Sequence, residues 1–431
     1  MRTSEGRRNW AGNLGYRASR VVRPRSVAEL QNLLADPGWV GGDRFRALGS
    51  RHSFNDLADT AGTHIETDGL PVEVDAGSAP GAVRISGGLR YGALAEALHA
   101  RGLALANLAS LPHISVAGAI ATGTHGSGDR LGSLASAVRA IAIVGGDGEV
   151  RSLRRGDADF EGVVVNLGAL GVVVALELDV EPAYAVAQHV FDGPRWDAVL
   201  DGFDRVTSLA TSVSVFTTWQ RTDRADLLWL KQRADASGPG ADGEASAFIA
   251  GTLGATAAAS PRHPVPGGDA RATTEQLGAP GPWHERLPHF RLAFTPSAGE
   301  ELQSEYLVPR RDAVAAIAAV RSLADRVAPL LHVCEIRTVA ADRLWLSSSY
   351  GVDAVGIHFT WRREQAAVEA LLPRIEAALP ATARPHWGKL FALPGEEVAS
   401  RYPRWRDFAV LRERFDPERR FVNSYLERLG L

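Results

Sequence analysis

The residue types best able to do chemistry in this 431-residue chain stand in pairs two positions apart. In residues 331–341, LHVCEIRTVAA, Glu335 and Arg337 are so spaced, and in residues 354–361, AVGIHFTW, His358 and Thr360 are as well. On a strand, side chains two apart project to one face, so Glu335 and Arg337 share a wall with Val333 and Val339. Carboxylate, guanidinium, imidazole and hydroxyl together are an inventory for hydrogen bonding and proton transfer. Polar pairs of this period also form the wet face of an antiparallel sheet. The spacing alone leaves both readings open.

Two further stretches could hold something polar without formal charge. Residues 108–128, LASLPHISVAGAIATGTHGSG, contain two histidines and nine Ser, Thr or Gly, with no acidic residue, Lys or Arg. Glycine removes the Cβ that would block close backbone approach, and hydroxyls add donors. A small-residue packing segment between strands would read the same way. Residues 46–55, RALGSRHSFN, break an apolar segment with glycine, two serines and a histidine, as a turn would. Lysine is a third signal: only Lys231 and Lys389 occur among 47 basic residues. A compact ammonium with a tunable pKa differs from a guanidinium, so a lysine here needs a reason. Lys231, in the polar run LKQRAD, reads as a surface survivor, whereas Lys389, in the aromatic setting HWGKLF, reads as functional.

Other motifs fail on context. Residues 238–243, GPGADG, satisfy GxGxxG but follow a polar stretch and contain a proline, which is not the strand-to-helix turn of a dinucleotide site. His284 and His289 in HERLPH are five apart with Pro288 between them, so they do not share a helical face as zinc ligands must. No GxSxG element supplies a nucleophile elbow. A net charge of −3 with 23% charged residues gives no reason to expect nucleic acid or an anionic membrane. The single Cys334 excludes an internal disulfide and a cysteine zinc cage. The first residues lack an apolar segment after their charges, and no run of eighteen apolar residues occurs, so a cytoplasmic protein is expected.

The positioning elements follow from periodicity. Residues 20–36 predict a short strand and a helix capped by Ser26, with Val27, Leu30, Leu33 and Leu34 on one face. Residues 71–75 and 82–87 predict strands, and 94–105 a helix. Residues 137–144 and 150–153 predict a hairpin around GGDG, and 166–181 an apolar strand after a glycine turn. Residues 212–218 predict a strand, and 311–327 a helix with Val314, Ile317 and Val320 on one face. Residues 234–282, rich in Gly, Ala, Pro and Ser, read as a mobile loop or a lid, with the mobile reading preferred. This alternation without βαβ rhythm predicts an α+β fold. The length predicts two domains: 1–182, then 183–384 with a mainly antiparallel sheet, and a tail, 385–431, that returns to the first.

Taken together, RxxGSxHS followed by SLPHISVAGAIATGTHGSG resembles the PCMH-type FAD-binding domain of the vanillyl-alcohol oxidase family. Within it the chain is most similar to the alditol (xylitol) oxidases, through AGNLGYRA, GPWHERLPHF, LQSEYL, CEIRTVAAD, HFTW and RPHWGK. The resemblance implies FAD lined by Ala47, Leu48, Gly49, Ser50, Arg51, His52, Ser110, Ser115, Gly118, Thr122, Gly123, Thr124, His125 and Val172, and held covalently through His52. It implies a polyol bound by Ser110, Glu335, Arg337, Thr360 and Lys389, and a catalytic set of His358 as base with Arg337, Lys389 and Glu335. The implied reaction oxidises a terminal CH2OH with O2, giving H2O2, in a monomer. Arg51 departs from the glycine that often precedes the attached histidine; if the turn needs positive φ there, a side chain costs roughly 1 kcal/mol or more. The alternatives are an aldonolactone oxidase or dehydrogenase of the same family and a redox-silent flavin or sugar-binding protein.

Overall fold

The computed structural model describes residues 7–36, 38, 43–77, 79–234, 243–294 and 300–431. Near the N-terminus the Ser26 side chain accepts the Glu29 N–H at 3.1 Å and starts the helix Val27–Ala35. Its buried Leu30 and Leu34 pack with Phe45, Ile65, Val144, Val172 and Phe421. That cluster lies against a parallel sheet of Arg20–Val22, Thr63–Glu66 and Phe45–Leu48. A second, antiparallel sheet runs in the order Val74–Asp75, Ala82–Ser86, Val172–Asp179, Val138–Val144, Val150–Arg154. The hairpin expected around GGDG is its last pair, closing at Val144 opposite Val150. The helix expected over 94–105 occupies Tyr91–His99 instead. Gly102, at φ +70, turns the chain away into the short strand Leu103–Ala104.

A nine-stranded sheet, counted among the described residues, carries the second half of the chain. Its centre is the antiparallel series Ser212–Thr217, Leu331–Val339, Ala354–Arg362 and Glu301–Pro309. Alternation decides what each face does. Cys334, Ile336, Ile357, Phe359 and Trp361 point to a core shared with the helices Ala313–Ser322 and Gln365–Ala378. Glu335, Arg337, His358 and Thr360 point the other way, and yet all four are buried. The solvated-face reading therefore fails because the flavin-motif loops cover this face.

Three other expectations are corrected. Val314 is exposed, and the buried stripe of its helix is Ala313, Ala316, Ile317 and Val320, because two small alanines take the inward positions beside Ile317 and Val320 and leave Val314 about 100° round from Ala313. Lys231 is buried rather than on the surface. Composition also hid the anchors of residues 243–282: Phe248 and Ile249 are buried, Arg262 pairs with Asp192 at 2.8 Å, and Thr274 N–H donates to the His289 carbonyl at 2.9 Å. The inner turn of this segment reaches the cavity described below. The GxGxxG stretch lies outside the described residues except for Gly243.

The tail packs back on the N-terminal region. Asn423 Nδ2 donates to the carbonyls of Leu57 and Asp59 at 3.0 and 2.7 Å. Buried Arg46 donates to those of Leu57, Leu167, Gly168 and Phe421. A guanidinium surrounded by carbonyls ties three chain segments together at once, so Arg46 is structural.

Candidate active site

Register sets the site. Across three strands Glu335 lies opposite His358, and His358 opposite Glu305. In the next row Val333 faces Thr360, and Thr360 faces Gln303. Glu305, given no role by sequence reasoning, is the organising residue. Its Oε2 accepts from Lys389 Nζ at 2.6 Å, and its Oε1 accepts from Arg337 Nη2 at 3.0 Å and lies 3.1 Å from His125 Nε2. Burial pushes the Glu305 carboxyl up, but Lys389 and Arg337 more than offset this and hold it well below the usual range. Gly356 leaves the room for this cluster, since a Cβ there would meet Glu305 Oε1 at 3.0 Å and His125 Cε1 at 3.4 Å.

Two hydrogen-bond chains fix the imidazoles. Gln303 Nε2 donates to Glu301, which turns the amide oxygen toward His358 Nε2 at 3.1 Å. His358 therefore carries its proton on Nε2, and its buried Nδ1 is left as a lone pair with no partner among the described residues. Burial and the Lys389 charge hold this imidazole well below its usual pKa, so it is neutral. On the other side His289 Nε2–H and Ser214 Oγ–H both donate to Glu335 Oε1, at 2.9 and 2.8 Å. Arg337 Nη1 donates to Ser110 Oγ at 3.2 Å. His289, dismissed as a zinc ligand, belongs to the site; the signal available was the polar loop GPWHERLPHF, whose contact partner only folding supplies.

The uncharged motifs form the adjoining wall. Ser115 N–H donates to Ser50 Oγ at 2.9 Å, joining the 46–55 and 108–128 stretches. A Cβ at Gly49 or Gly118 would come within 2.3 or 2.6 Å of Ser115 Oγ, so a side chain at either position would displace that hydroxyl. Gly128 N–H donates to the Thr338 carbonyl at 3.0 Å, and His289 N–H to that of Ser110 at 3.1 Å. These bonds close both motifs over the strand face. The result is one cavity of about 630 Å³, within the range of ligand sites, shared by all these groups.

Of the sequence-predicted residues, Ala47 through His52, Ser110, Ser115, Gly118, Thr122, Thr124, His125, Glu335, Arg337, His358, Thr360 and Lys389 line this cavity. Gly123 and Val172 do not. Gly123 ends the helix Val116–Ala121 at φ +63, a backbone role. Val172 points into the core, because strand alternation gives Gly171 and Val173 the cavity face. His52 Nδ1–H donates to the Ser50 carbonyl at 2.9 Å, its ring stacks on Trp10 at 5.0 Å, and its buried Nε2 has no partner among the described residues. Burial draws its pKa down to about 4, so the ring is neutral. Arg51, immediately before it, has φ +64, the left-handed conformation that favours glycine. A long cavity walled by backbone donors, hydroxyls and an unpartnered neutral histidine fits a flavin nucleotide. Among the described residues no His, Cys, Asp and Glu cluster could hold a metal ion.

Comparison with known proteins agrees with this geometry. A family model described as an FAD binding domain matches residues 18–154, and one described as D-arabinono-1,4-lactone oxidase matches 299–429. The crystal structure of cholesterol oxidase from B. sterolicum superposes with a TM-score of 0.77 at 15% identity, covering 98% of this chain and 96% of that one. Fold and cavity thus define an FAD-dependent oxidoreductase with the PCMH-type fold. An alditol oxidase of Streptomyces sp. is 46% identical, with 98% of each chain covered, and an L-gulono-1,4-lactone dehydrogenase of Mycobacterium tuberculosis is 31% identical over the same shares. The chain belongs to the alditol oxidase family.

Proposed function

We propose that this protein oxidises the terminal CH2OH of an alditol such as xylitol or sorbitol to the aldose, with O2 reduced to H2O2. The observation that carries the reading is the ring of hydroxyl-binding groups, Ser110, Glu335, Arg337, Thr360 and Lys389, around a neutral imidazole with a bare Nδ1. A polyol needs donors and acceptors at several fixed points, and this wall supplies both.

FAD held along residues 46–55 and 108–128 would supply the hydride acceptor and the route of electrons to O2. Every other part of the reaction falls to side chains. An alcohol proton is too weakly acidic to leave first, so a base must take it as hydride departs. His358 Nδ1 takes that proton, and Gln303 keeps the ring in the tautomer that can. Arg337 and Lys389, held by Glu305, face the negative charge that develops on the substrate oxygen. Glu335 Oε2 accepts a hydroxyl proton further along the chain. Residues 46–55 and 108–128 hold the cofactor in an FAD-binding domain, 1–182. Residues 183–384 form the substrate domain, and 385–431 complete the first. His52 is the covalent attachment point, because its neutral Nε2 has no partner among the described residues. A cytoplasmic monomer completes the proposal; gel filtration and cell fractionation test it.

Purified protein given xylitol should release peroxide in a coupled assay, and yellow colour should stay with the acid-precipitated pellet. Peroxide from L-gulono-1,4-lactone but from no polyol would favour the lactone reading that the 299–429 match permits. Colour released to the supernatant would remove the covalent link while leaving FAD in place.

A further inference from the structure

Lys231 is one of only two lysines among 47 basic residues, is buried, and is not on the cavity wall. It enters from the strand Leu227–Arg233, and its Nζ lies 2.5 Å from the Leu287 carbonyl, 3.0 Å from that of Pro288 and 3.1 Å from His289 Nδ1. An ammonium has three N–H donors and no acceptor, so these three contacts use all of them. His289 Nδ1 must then be the lone-pair nitrogen, and the ring proton sits on Nε2. That proton points at Glu335 Oε1, 2.9 Å away.

The ring has no room to choose otherwise. Phe216 and Trp229 meet it edge-on at centroid distances of 5.5 and 5.2 Å. Its backbone is tied at both polar groups: His289 N–H donates to Ser110, and its carbonyl accepts from Thr274. With Ser214 Oγ–H the second donor, Oε1 of Glu335 is committed to the protein. Oε2, 3.7 Å from Arg337 Nη1, keeps its lone pairs for the cavity.

We propose that Lys231 is a positioning residue for the substrate: through His289 it fixes the Glu335 carboxylate so that Oε2 alone is presented to a polyol hydroxyl. This rests on the alditol oxidase reading. Without the ammonium, a neutral His289 places its proton on Nδ1, toward the Leu287 and Pro288 carbonyls that have lost their donor. Its Nε2 lone pair then faces a carboxylate oxygen, and Glu335 turns away. A guanidinium, planar and forked, does not fit three acceptors converging on one point, which explains a lysine in a chain that otherwise uses arginine.

The test compares K231M, H289F and H289Q, each alone and combined with E335Q, by xylitol KM, kcat and thermal midpoint. Loss of a hydrogen bond to a charged group predicts that K231M and H289F raise KM about tenfold or more, with a smaller change in kcat. On the E335Q background the same changes should add less than about twofold, since the relay acts only through that carboxylate. H289Q, which keeps an N–H near the Nε2 position, should recover most of the affinity. Effects that add in full on E335Q, or an unchanged KM, would overturn the proposal. Should K231M not fold, the 15N spectrum of the unmodified holoprotein decides: the His289 ring, assigned by its absence in H289Q, must be the Nε2–H tautomer, and Nδ1–H sinks the relay. Failure of unmodified protein to oxidise any polyol would instead remove the functional reading, leaving the tautomer result to stand or fall by itself.

Discussion

Glu305, itself buried, accepts from two cations, buried Arg337 and largely buried Lys389, and lies beside buried His125. Removing one partner of such a buried cluster leaves the others uncompensated, at a cost of about 3–5 kcal/mol. E305Q should therefore lower the thermal midpoint and reduce kcat/KM by about 100-fold, because Arg337 and Lys389 lose the anchor that aims them. Comparison of unfolding curves and rates checks this; an E305Q protein as stable and active as the parent would mean that the carboxylate organises nothing. Lys231 gives a pH signature. Burial draws its ammonium down to about 7, with Glu335 pulling the other way. Above that pH a neutral amine has two N–H groups for three acceptors, so xylitol KM should rise as pH passes about 7, and K231M should lose that rise. The charged or titratable groups facing it are His289, which burial draws down to about 4, and Glu335, held well below the carboxylate range; neither titrates in this window. Lysine scarcity marked Lys389 and should have marked Lys231, but a polar neighbourhood in sequence hid a strand whose inner face is buried.

Among elements, the turn at residues 49–52 carries strain that sequence comparison anticipated. Arg51 sits at φ +64 with an exposed side chain, and its carbonyl accepts from Trp10 N–H at 2.8 Å. Relief of the left-handed backbone exceeds the entropy that glycine adds to the unfolded chain, so R51G should stabilise by about 0.5–1 kcal/mol. Calorimetry should show a rise of about 1–2 °C with bound flavin unchanged; a fall would mean that the arginine side chain is needed. The polar strands were legible in part. Period two gave the shared faces of Glu335 with Arg337 and of His358 with Thr360, but not the strand register that sets Glu305 opposite His358. Residues 301–309 alternate in the same way, with Gln303 and Glu305 on the cavity face, so the signal was present and went unread. For residues 243–282, composition showed Gly, Ala and Pro and concealed the anchors, because Phe248, Ile249 and Leu253 are a few large apolar residues among many small ones.

For the whole molecule, burial of neutral imidazoles sets the response to acid. Burial, the largest cause, draws His289 down to about 4 and holds His358 and His386 well below 6.5. Between pH 6.5 and about 4 the unfolded chain binds protons that the folded one refuses, so stability present above 6.5 is lost as pH falls. At 1.36 kcal/mol per pH unit, His289 alone accounts for roughly 3 kcal/mol by pH 4. The depressed carboxyls of Glu305 and Glu335 add in the same direction below their ordinary range. The thermal midpoint should therefore drop steeply between pH 6.5 and 4.5; a flat profile would mean that these rings are charged or hydrated in the folded state.

The sequence by itself determined the α+β class, the helix at Ser26, the hairpin around GGDG and the two uncharged loops. Each of these is written in short-range pattern, as capping, alternation or glycine at a close approach, and local sterics enforce it. The tertiary structure alone decided that Glu305 joins Arg337 to Lys389, that His289 and Lys231 stand behind Glu335, and that Val172 and Gly123 face away from the cavity. Those outcomes depend on strand register and on loops closing across some 180 residues of chain, as in the bond from His289 N–H to the Ser110 carbonyl. Such pairings are chosen by the packing free energy of the whole core, which no local window of the sequence contains.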